Sequence, residues 1–168
     1  AISARGIGRF RVSAYFQRNM ASMVLRRIET NIPKVDDLKL PEIIKELAMT
    51  KRGIIMFVGA TGTGKSWLAC AFGMQGCRLG MSVLYRSATH LFQEIEVATG
   101  DGSLQKLKQL LIKPTVLIID DFGLSPMSLA IGYILLDVID ARLQTGSLII
   151  TSQFPPGHWH ERFPDPTL

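Results

Sequence analysis

The sequence predicts an α/β fold of three layers, in which a parallel sheet lies between two layers of helices. Three observations predict it. Short continuous apolar runs, typical of strands covered on both faces, alternate with segments whose apolar residues recur at helical spacing. A glycine-rich loop joins the first of these runs to a helix. Acidic or hydroxyl residues directly follow two later runs, at the sheet edge where ligands bind.

The first 40 residues are predicted to form a basic extension and a linker. Residues 7–17 alternate in part and predict a half-buried strand, while residues 23–28 fit either a strand or a short helix. Residues 31–39 read as a linker. The formal charge is +6 over residues 1–52 and −1 over the remainder. Contact with DNA, RNA or an acidic partner and an ordinary solvated surface both remain open.

Residues 41–168 are predicted to form the core domain. Pro41 opens the first predicted helix. A second helix is predicted over about residues 65–79, a third begins near residue 87 or 89, and a fourth covers residues 104–111. The last helix begins after Ser128, which is its predicted N-cap. Buried strands are expected at 54–58, 81–85, 116–119 and 148–150. Arg142 is expected on a solvated helix face, Cys70 and Cys77 in the core, and residues 154–168 in a loop.

The loop from residue 59 to residue 66 has the sequence GATGTGKS and fits the phosphate-loop pattern G-x-x-x-x-G-K-[ST]. Glycines allow positive φ and close approach of the backbone, so that the loop N–H groups and the following helix N-terminus bind an anion. The predicted fold class is therefore that of a P-loop NTPase. The residues predicted to bind nucleotide are Gly59, Ala60, Thr61, Gly62, Thr63, Gly64, Lys65, Ser66 and Trp67.

The predicted cofactors are ATP and Mg²⁺. Lys65 is placed on the β- and γ-phosphates, and Ser66 and Asp120 are the predicted metal ligands. Asp121 is placed to orient or deprotonate the attacking water. Thr151, at the end of the last strand, is a candidate polar sensor for the γ-phosphate, although a plain strand end is equally compatible with it.

Residues 66–168 resemble the IstB/DnaC-like AAA+ ATPases, the helper ATPases of insertion-sequence transposition and related helicase loaders. The resemblance rests on the segments KSWLACAFGMQGCRLGMSVLYRSATHLFQEI, LIIDDFGLSPM and LIITSQFPPGHWHERFPDPTL. It implies a P-loop NTPase fold of the AAA+ or ASCE kind, DNA and a transposase as partners, and ATP-dependent homo-oligomers. The chain stops before the segments where that family places an arginine finger and a lid helix, so slow hydrolysis is expected.

Residues 9–66 instead resemble the type IV pilus retraction ATPases PilT and PilU, through RFRVSAYFQRNMASMVLRRIE and LKLPEIIKELAMTKRGIIMFVGATGTGKS. The chain therefore has the character of a hybrid. Three functions are left open: a slow helper ATPase, a pilus motor ATPase, and a nucleotide-gated interaction module with negligible turnover. A small-molecule kinase is disfavoured, since no arginine-rich lid is visible. No apolar run is long enough to span a membrane, and a cytoplasmic protein is expected.

Overall fold

A computed structural model describes residues 2–17, 20–28, 42 and 52–161 of the chain, which divides into two compact units, Ala1–Pro33 and Lys34–Leu168. The strands are β1 (Ile2–Ala4), β2 (Gly8–Gln17), β3 (Met20–Ile28), β4 (Gly53–Val58), β5 (Val83–Ser87), β6 (Val116–Phe122) and β7 (Ser147–Ser152). The helices are α1 (Lys65–Arg78), α2 (Ala88–Gly100), α3 (Leu104–Ile112) and α4 (Leu129–Leu143), followed by a 3₁₀ helix at Pro156–Glu161.

The first unit is an antiparallel sheet of three strands in the order β1-β2-β3. It confirms the strand predicted over residues 7–17 and shows that residues 23–28 belong to a strand rather than a helix. Phe10 and Val12 are half-buried, as the partial alternation predicts, whereas Ala14 and Phe16, expected on the same face, are exposed. The predicted linker and the predicted helix after Pro41 lie outside the described residues.

The second unit contains a four-stranded parallel sheet in the order β4-β7-β6-β5. All four predicted core strands are confirmed, although β5 begins at Val83 and β6 continues through both aspartates to Phe122. Because the strands are parallel, their carboxyl ends meet at one edge. The phosphate loop, Asp120 and Thr151 therefore lie at that edge together.

Helices cover both faces of this sheet, which confirms the three layers. On one face α1 packs on the sheet through Ala69 and Phe72, which cluster with Ile118 and Ile149. The other face is covered by α2, α3 and α4, and its cluster includes the following residues: Leu91, Ile95, Leu111, Leu117, Ile119, Leu135, Val138 and Leu148. Among the described residues, no helix combines the length and the apolar character needed to cross a bilayer.

Strand β4 corrects the expectation that both of its faces are covered. Its side chains alternate: Ile55 and Phe57 pack on the α1 side, whereas Ile54, Met56 and Val58 are 38%, 41% and 41% exposed. The physical reason is position, because β4 pairs only with β7 among the described strands and so lies at the sheet edge. An unbroken apolar run does not distinguish an edge strand from a central one.

Arg142 corrects a second expectation, because its side chain is buried rather than solvated. Only 1% of it is exposed, and its guanidinium donates to the backbone oxygens of the following residues: Leu111, Ile112, Pro114, Thr115 and Ser147. Gly146 has no room for a side chain beside it, since a Cβ there would lie 2.7 Å from Arg142 Nη2 and 2.8 Å from the Thr115 oxygen.

Two smaller expectations also change. Cys77 is exposed and Cys70 half-buried, because the side of α1 that faces the sheet carries Ala69, Phe72, Gly73 and Gly76 instead. The tail is not all loop, since Pro156–Glu161 forms a 3₁₀ helix. It packs on the core through Trp159, whose ring centroid is 4.9 Å from that of Phe122. Residues 162–168 are outside the described part.

Candidate functional site

The phosphate loop takes its shape from two glycines in the left-handed region. Gly62 and Gly64 have φ values of 86° and 87°, conformations that cost other residues strain. Gly59 was expected to need the same freedom but has no positive φ. It needs space instead, because a Cβ there would lie 3.3 Å from Thr63 Oγ1. The Gly59 N–H donates to the Ser152 oxygen at 3.2 Å, which ties the loop to the end of β7.

Helix α1 begins directly at Lys65, with Gly64 as its N-cap. No side chain caps this end, and the first turn contains no acidic residue. The uncapped N–H groups and the positive end of the helix dipole therefore point toward the loop. Lys65 reaches back over the loop, where its Nζ donates to the Ala60 oxygen at 2.9 Å. The same oxygen accepts a bond from Thr63 Oγ1, also at 2.9 Å.

A cavity of about 450 Å³ opens beside this loop. Its lining combines the loop with apolar side chains from β4 and α1: Met56, Phe57, Val58, Thr63, Gly64, Lys65, Trp67 and Leu68. Trp67 is 47% exposed and offers the largest flat ring of this lining. The cavity thus joins an anion-binding end to an apolar wall, which is the arrangement that a nucleotide base and its phosphates require.

Asp120 is held at the end of β6 by two hydroxyl groups. Tyr85, on the neighbouring strand β5, donates to Asp120 Oδ2 at 2.6 Å. Thr151, on the other neighbour β7, donates to Oδ1. Asp120 is 4% exposed, so water has little access to its carboxylate, and the two hydroxyl groups fix its orientation. Sequence reasoning missed Tyr85, although the parallel pairing of β5 with β6 places it opposite Ile118, two residues before Asp120.

Asp121 lies in a β-bulge. The register of β6 on β7 passes from Ile119 opposite Ile150 to Phe122 opposite Ser152, so β6 contains one extra residue. Asp121 absorbs it with φ of 58°, the one positive value at a non-glycine position among the described residues. Its N–H donates to Thr151 Oγ1 at 2.8 Å. Backbone strain of this kind is typical of functional sites.

The pKa values reflect the packing around these acids. Partial burial raises the pKa of the Asp121 carboxyl, the charge of Asp120 raises it further, and the charge of Lys65 opposes both. Lys65 therefore lies within electrostatic range of Asp121. Burial, followed by the hydrogen bond to Asp120, raises the pKa of Tyr85, so this group stays a donor. Burial also raises the pKa of Cys70.

The structure brings the predicted residues together at one sheet edge, but it buries Thr151 completely. The Thr151 hydroxyl already contacts Asp120 and the Asp121 N–H, so its function as a phosphate sensor stays a prediction. Ser152 is equally buried and bridges the Phe122 oxygen and the Phe154 N–H. His158 is exposed in the 3₁₀ helix, and no cluster of three or more metal-ligating side chains occurs within the described residues.

The donor set fits Mg²⁺ as ATP presents it. Each Asp120 oxygen accepts one described hydrogen bond, and a carboxylate oxygen has a further lone pair for a metal or its water. Mg²⁺ in such sites takes one or two protein oxygens and completes its shell with water and phosphate. One carboxylate and the Ser66 hydroxyl are therefore sufficient, without a larger cluster of acids.

Comparison with known proteins places the chain in context. The family model described as IstB-like ATP binding protein matches residues 17–168. The putative insertion sequence ATP-binding protein y4uH of Sinorhizobium fredii is 46% identical over 110 residues, which cover 66% of this chain and 44% of that protein. The type IV pilus ATPase PilU of Pseudomonas aeruginosa is 77% identical over 66 residues, 39% of this chain and 17% of that one.

A solved structure of DnaI superposes with a TM-score of 0.67 at 20% identity, covering 77% of each chain. At that identity the likeness concerns the fold, and it confirms the P-loop α/β class. The chain spans less than half of the insertion-sequence relative and about a sixth of PilU. Similarity to both PilU and the insertion-sequence protein agrees with the hybrid character of the sequence.

Proposed function

From the premise that this chain belongs to the IstB-like ATP-binding protein family, we propose that it binds and slowly hydrolyses Mg·ATP as a helper ATPase for DNA transposition. The single observation that carries the proposal is the loop of residues 59–66, which lies between β4 and the uncapped start of α1, with Asp120 fixed at the same sheet edge. Strand, loop, helix and acid are the parts that grip a triphosphate with its metal.

Each residue has a defined part in this proposal. The loop N–H groups and Lys65 hold the phosphates, Trp67 contacts the base or ribose, and Ser66 with Asp120 holds the metal. The metal held there would neutralise part of the phosphate charge. Asp121 orients the attacking water and accepts its proton. Thr151 donates to the Asp120 carboxylate and accepts the Asp121 N–H, which keeps both carboxylates in fixed orientations.

Slow turnover follows from the small number of cations. Lys65 is the one basic residue among those that line the cavity by the loop, whereas an additional arginine in such sites commonly raises the rate 10³-fold or more. We therefore propose that copies of the chain assemble on binding Mg·ATP and that assembly supplies the missing charge. DNA and a transposase are the proposed partners, and the proposed location is the cytoplasm.

A nucleotide-gated interaction module is the second candidate, and the same scarcity of cations favours it. In that case ATP binding orders the domain for assembly, and hydrolysis does not contribute. A pilus motor ATPase is the third, supported by the 66-residue similarity to PilU, which spans 17% of that protein.

Turnover of an Asp121→Asn variant separates these candidates. Asparagine adopts positive φ at least as readily as aspartate, so the bulge survives and only the carboxylate is lost. If Asp121 is the base, steady-state phosphate release falls about a hundredfold or more, while ATP affinity stays the same. Equal phosphate release above the protein-free background in both proteins would remove Asp121 from catalysis. Release no faster than that background in both proteins would favour the gated module. Asp140→Asn, on α4, is the matched control.

A further inference from the structure

The first sheet concentrates positive charge without any counter-charge of its own. Residues 1–28 contain six arginines and no aspartate, glutamate or lysine. Five of the six, all but Arg18, are in the described residues, and they occur at one end of the sheet, in the β1–β2 turn and in the strand rungs beside it. Arg9, Arg11 and Arg26 are all exposed.

The strand register places three of these arginines on one face. Arg11 is directly opposite Arg26, and Arg9 precedes Arg11 by two residues. Side chains alternate along a strand, and directly paired residues point to the same face, so these three guanidinium groups are neighbours. We call them the arginine face. Like charges directly opposite each other weaken a sheet, which makes an anionic partner the natural complement of this face.

We propose that the arginine face of the N-terminal sheet binds the phosphate backbone of duplex nucleic acid without reading its sequence. A guanidinium pairs with phosphate through two parallel N–H bonds, and several arginines on a rigid sheet present such forks together. This surface is where the DNA proposed above as a partner would bind. The inference rests on the proposed function for the identity of its ligand, DNA, and on the strand register for everything else.

The distribution of apolar side chains favours nucleic acid over a lipid surface. A membrane-binding surface needs large apolar groups beside its cations in one plane. Here the exposed side chains of Ile2, Phe16, Met23 and Leu25 belong to the opposite face. On the arginine face, Val24 adjoins Arg26 and the half-buried Ile28 lies opposite Arg9, but Met20 lies six residues along β3 from Arg26.

The test measures how the affinity of the full chain for duplex DNA depends on salt concentration. Fluorescence anisotropy of labelled DNA of random sequence reports the binding. Each phosphate contact contributes about −0.9 to the slope of log K against log salt. The triple variant Arg9→Gln, Arg11→Gln, Arg26→Gln should therefore have a slope shallower by about 2.7. It should lose at least about tenfold in affinity at 50 mM salt.

A matched control removes the same charge from the other unit. Arg52→Gln, Arg78→Gln, Lys106→Gln changes three exposed residues and should keep most of the wild-type slope. The triple Arg→Lys variant of the arginine face should also keep its slope, because charge sets this term. Circular dichroism verifies the sheet in each variant. If the Gln triple fails to fold, Arg11→Gln alone replaces it, with an expected change of about 0.9.

The outcomes distinguish the two proposals. Equal slopes for wild type and the Gln triple would overturn the arginine face and leave the DNA partner intact. Absence of duplex binding by the wild type, with ATP still bound, would overturn both the DNA partner and this face. If the wild-type protein sediments with phosphatidylserine vesicles and does not bind duplex DNA, the arginine face is assigned to lipid and the proposal is overturned.

Discussion

At the scale of single residues, the site depends on groups that hold the acids as much as on the acids themselves. Tyr85 and Thr151 approach Asp120 from the two neighbouring strands, and Thr151 also accepts the Asp121 N–H. The carboxylate that would bind Mg²⁺ is thus oriented before any metal arrives. Groups of this kind change metal affinity by 10–100-fold in other proteins when removed.

Replacement of Tyr85 by phenylalanine should weaken the response of ATP binding to Mg²⁺. The change removes one hydroxyl and keeps the ring, so Asp120 loses an orienting bond without a cavity. We expect the Mg²⁺-dependent gain in ATP affinity to fall about tenfold, with affinity in EDTA unchanged. Titration with a fluorescent ATP analogue measures both. Tyr133→Phe, on the exposed side of α4, is the control, and equal Mg²⁺ responses in the two variants would dismiss this function of Tyr85.

Arg142 acts at the opposite end of the strands. Its guanidinium joins the last residues of α3 and the chain after them to the start of β7 through five backbone oxygens at 2.7–3.3 Å. Burial lowers the pKa of this arginine, yet a guanidinium stays charged in proteins. No described carboxylate pairs with it. The charge is stabilised by carbonyl dipoles alone, and it joins oxygens from separate segments, of which the Thr115 oxygen also accepts the Ser147 N–H.

Arg142→Met should therefore destabilise the fold strongly. Methionine fills most of the volume but donates nothing, and each buried oxygen left unpaired costs about 1–3 kcal/mol. We expect a loss of about 3 kcal/mol or more in the free energy of unfolding, measured by urea denaturation. Arg78→Met, at an exposed position of α1, should change it by no more than about 0.5 kcal/mol. Equal urea midpoints for Arg142→Met and Arg78→Met would mean that water hydrogen-bonds the backbone oxygens that Arg142 contacts in the wild type.

At the scale of elements, the contact of α1 with the sheet positions the phosphate loop. Gly73 brings the helix close, since a Cβ at that residue would lie 2.8 Å from Ile118 Cδ1 and 3.3 Å from Val83 Cγ1. Ile118 is 1% exposed and has little room to change rotamer. Because α1 begins at the loop, a displacement of this helix moves the N–H groups that would meet the phosphates.

Gly73→Ala should reduce both stability and ATP affinity. The overpacked methyl costs about 1–3 kcal/mol, more than the gain of about 1 kcal/mol in helix propensity. Gly100→Ala, at the end of α2, meets no atom within 4 Å and should leave stability equal or slightly higher. Thermal denaturation and ATP titration of the two variants measure the contrast. If the Gly73→Ala and Gly100→Ala proteins are equally stable, the side chains of Ile118 and Val83 accommodate the added methyl group without cost.

At the scale of the whole molecule, the order of the core strands and helices was predictable because periodicity and the phosphate loop mark them. Strand β1 and the 3₁₀ helix were not predicted. Contacts between distant segments were not. The exposed side of β4 depends on which strand lies at the edge, and the burial of Arg142 depends on five oxygens from separate segments. Tyr85 required the β5–β6 pairing. Local sequence does not encode these, so the acids and Thr151 were found, but Tyr85 and the bond from Thr151 to Asp120 were not.

The central claim is that the loop of residues 59–66 grips a triphosphate whose metal is held by Asp120. Equilibrium titration with a fluorescent ATP analogue, in Mg²⁺ and in EDTA, tests it on wild type, Lys65→Ala and Asp120→Asn. Loss of the lysine charge should weaken binding about 30-fold or more in both conditions, whereas Asp120→Asn should remove the gain due to Mg²⁺ and leave affinity in EDTA unchanged. Wild-type affinity in Lys65→Ala, with or without Mg²⁺, would contradict the account.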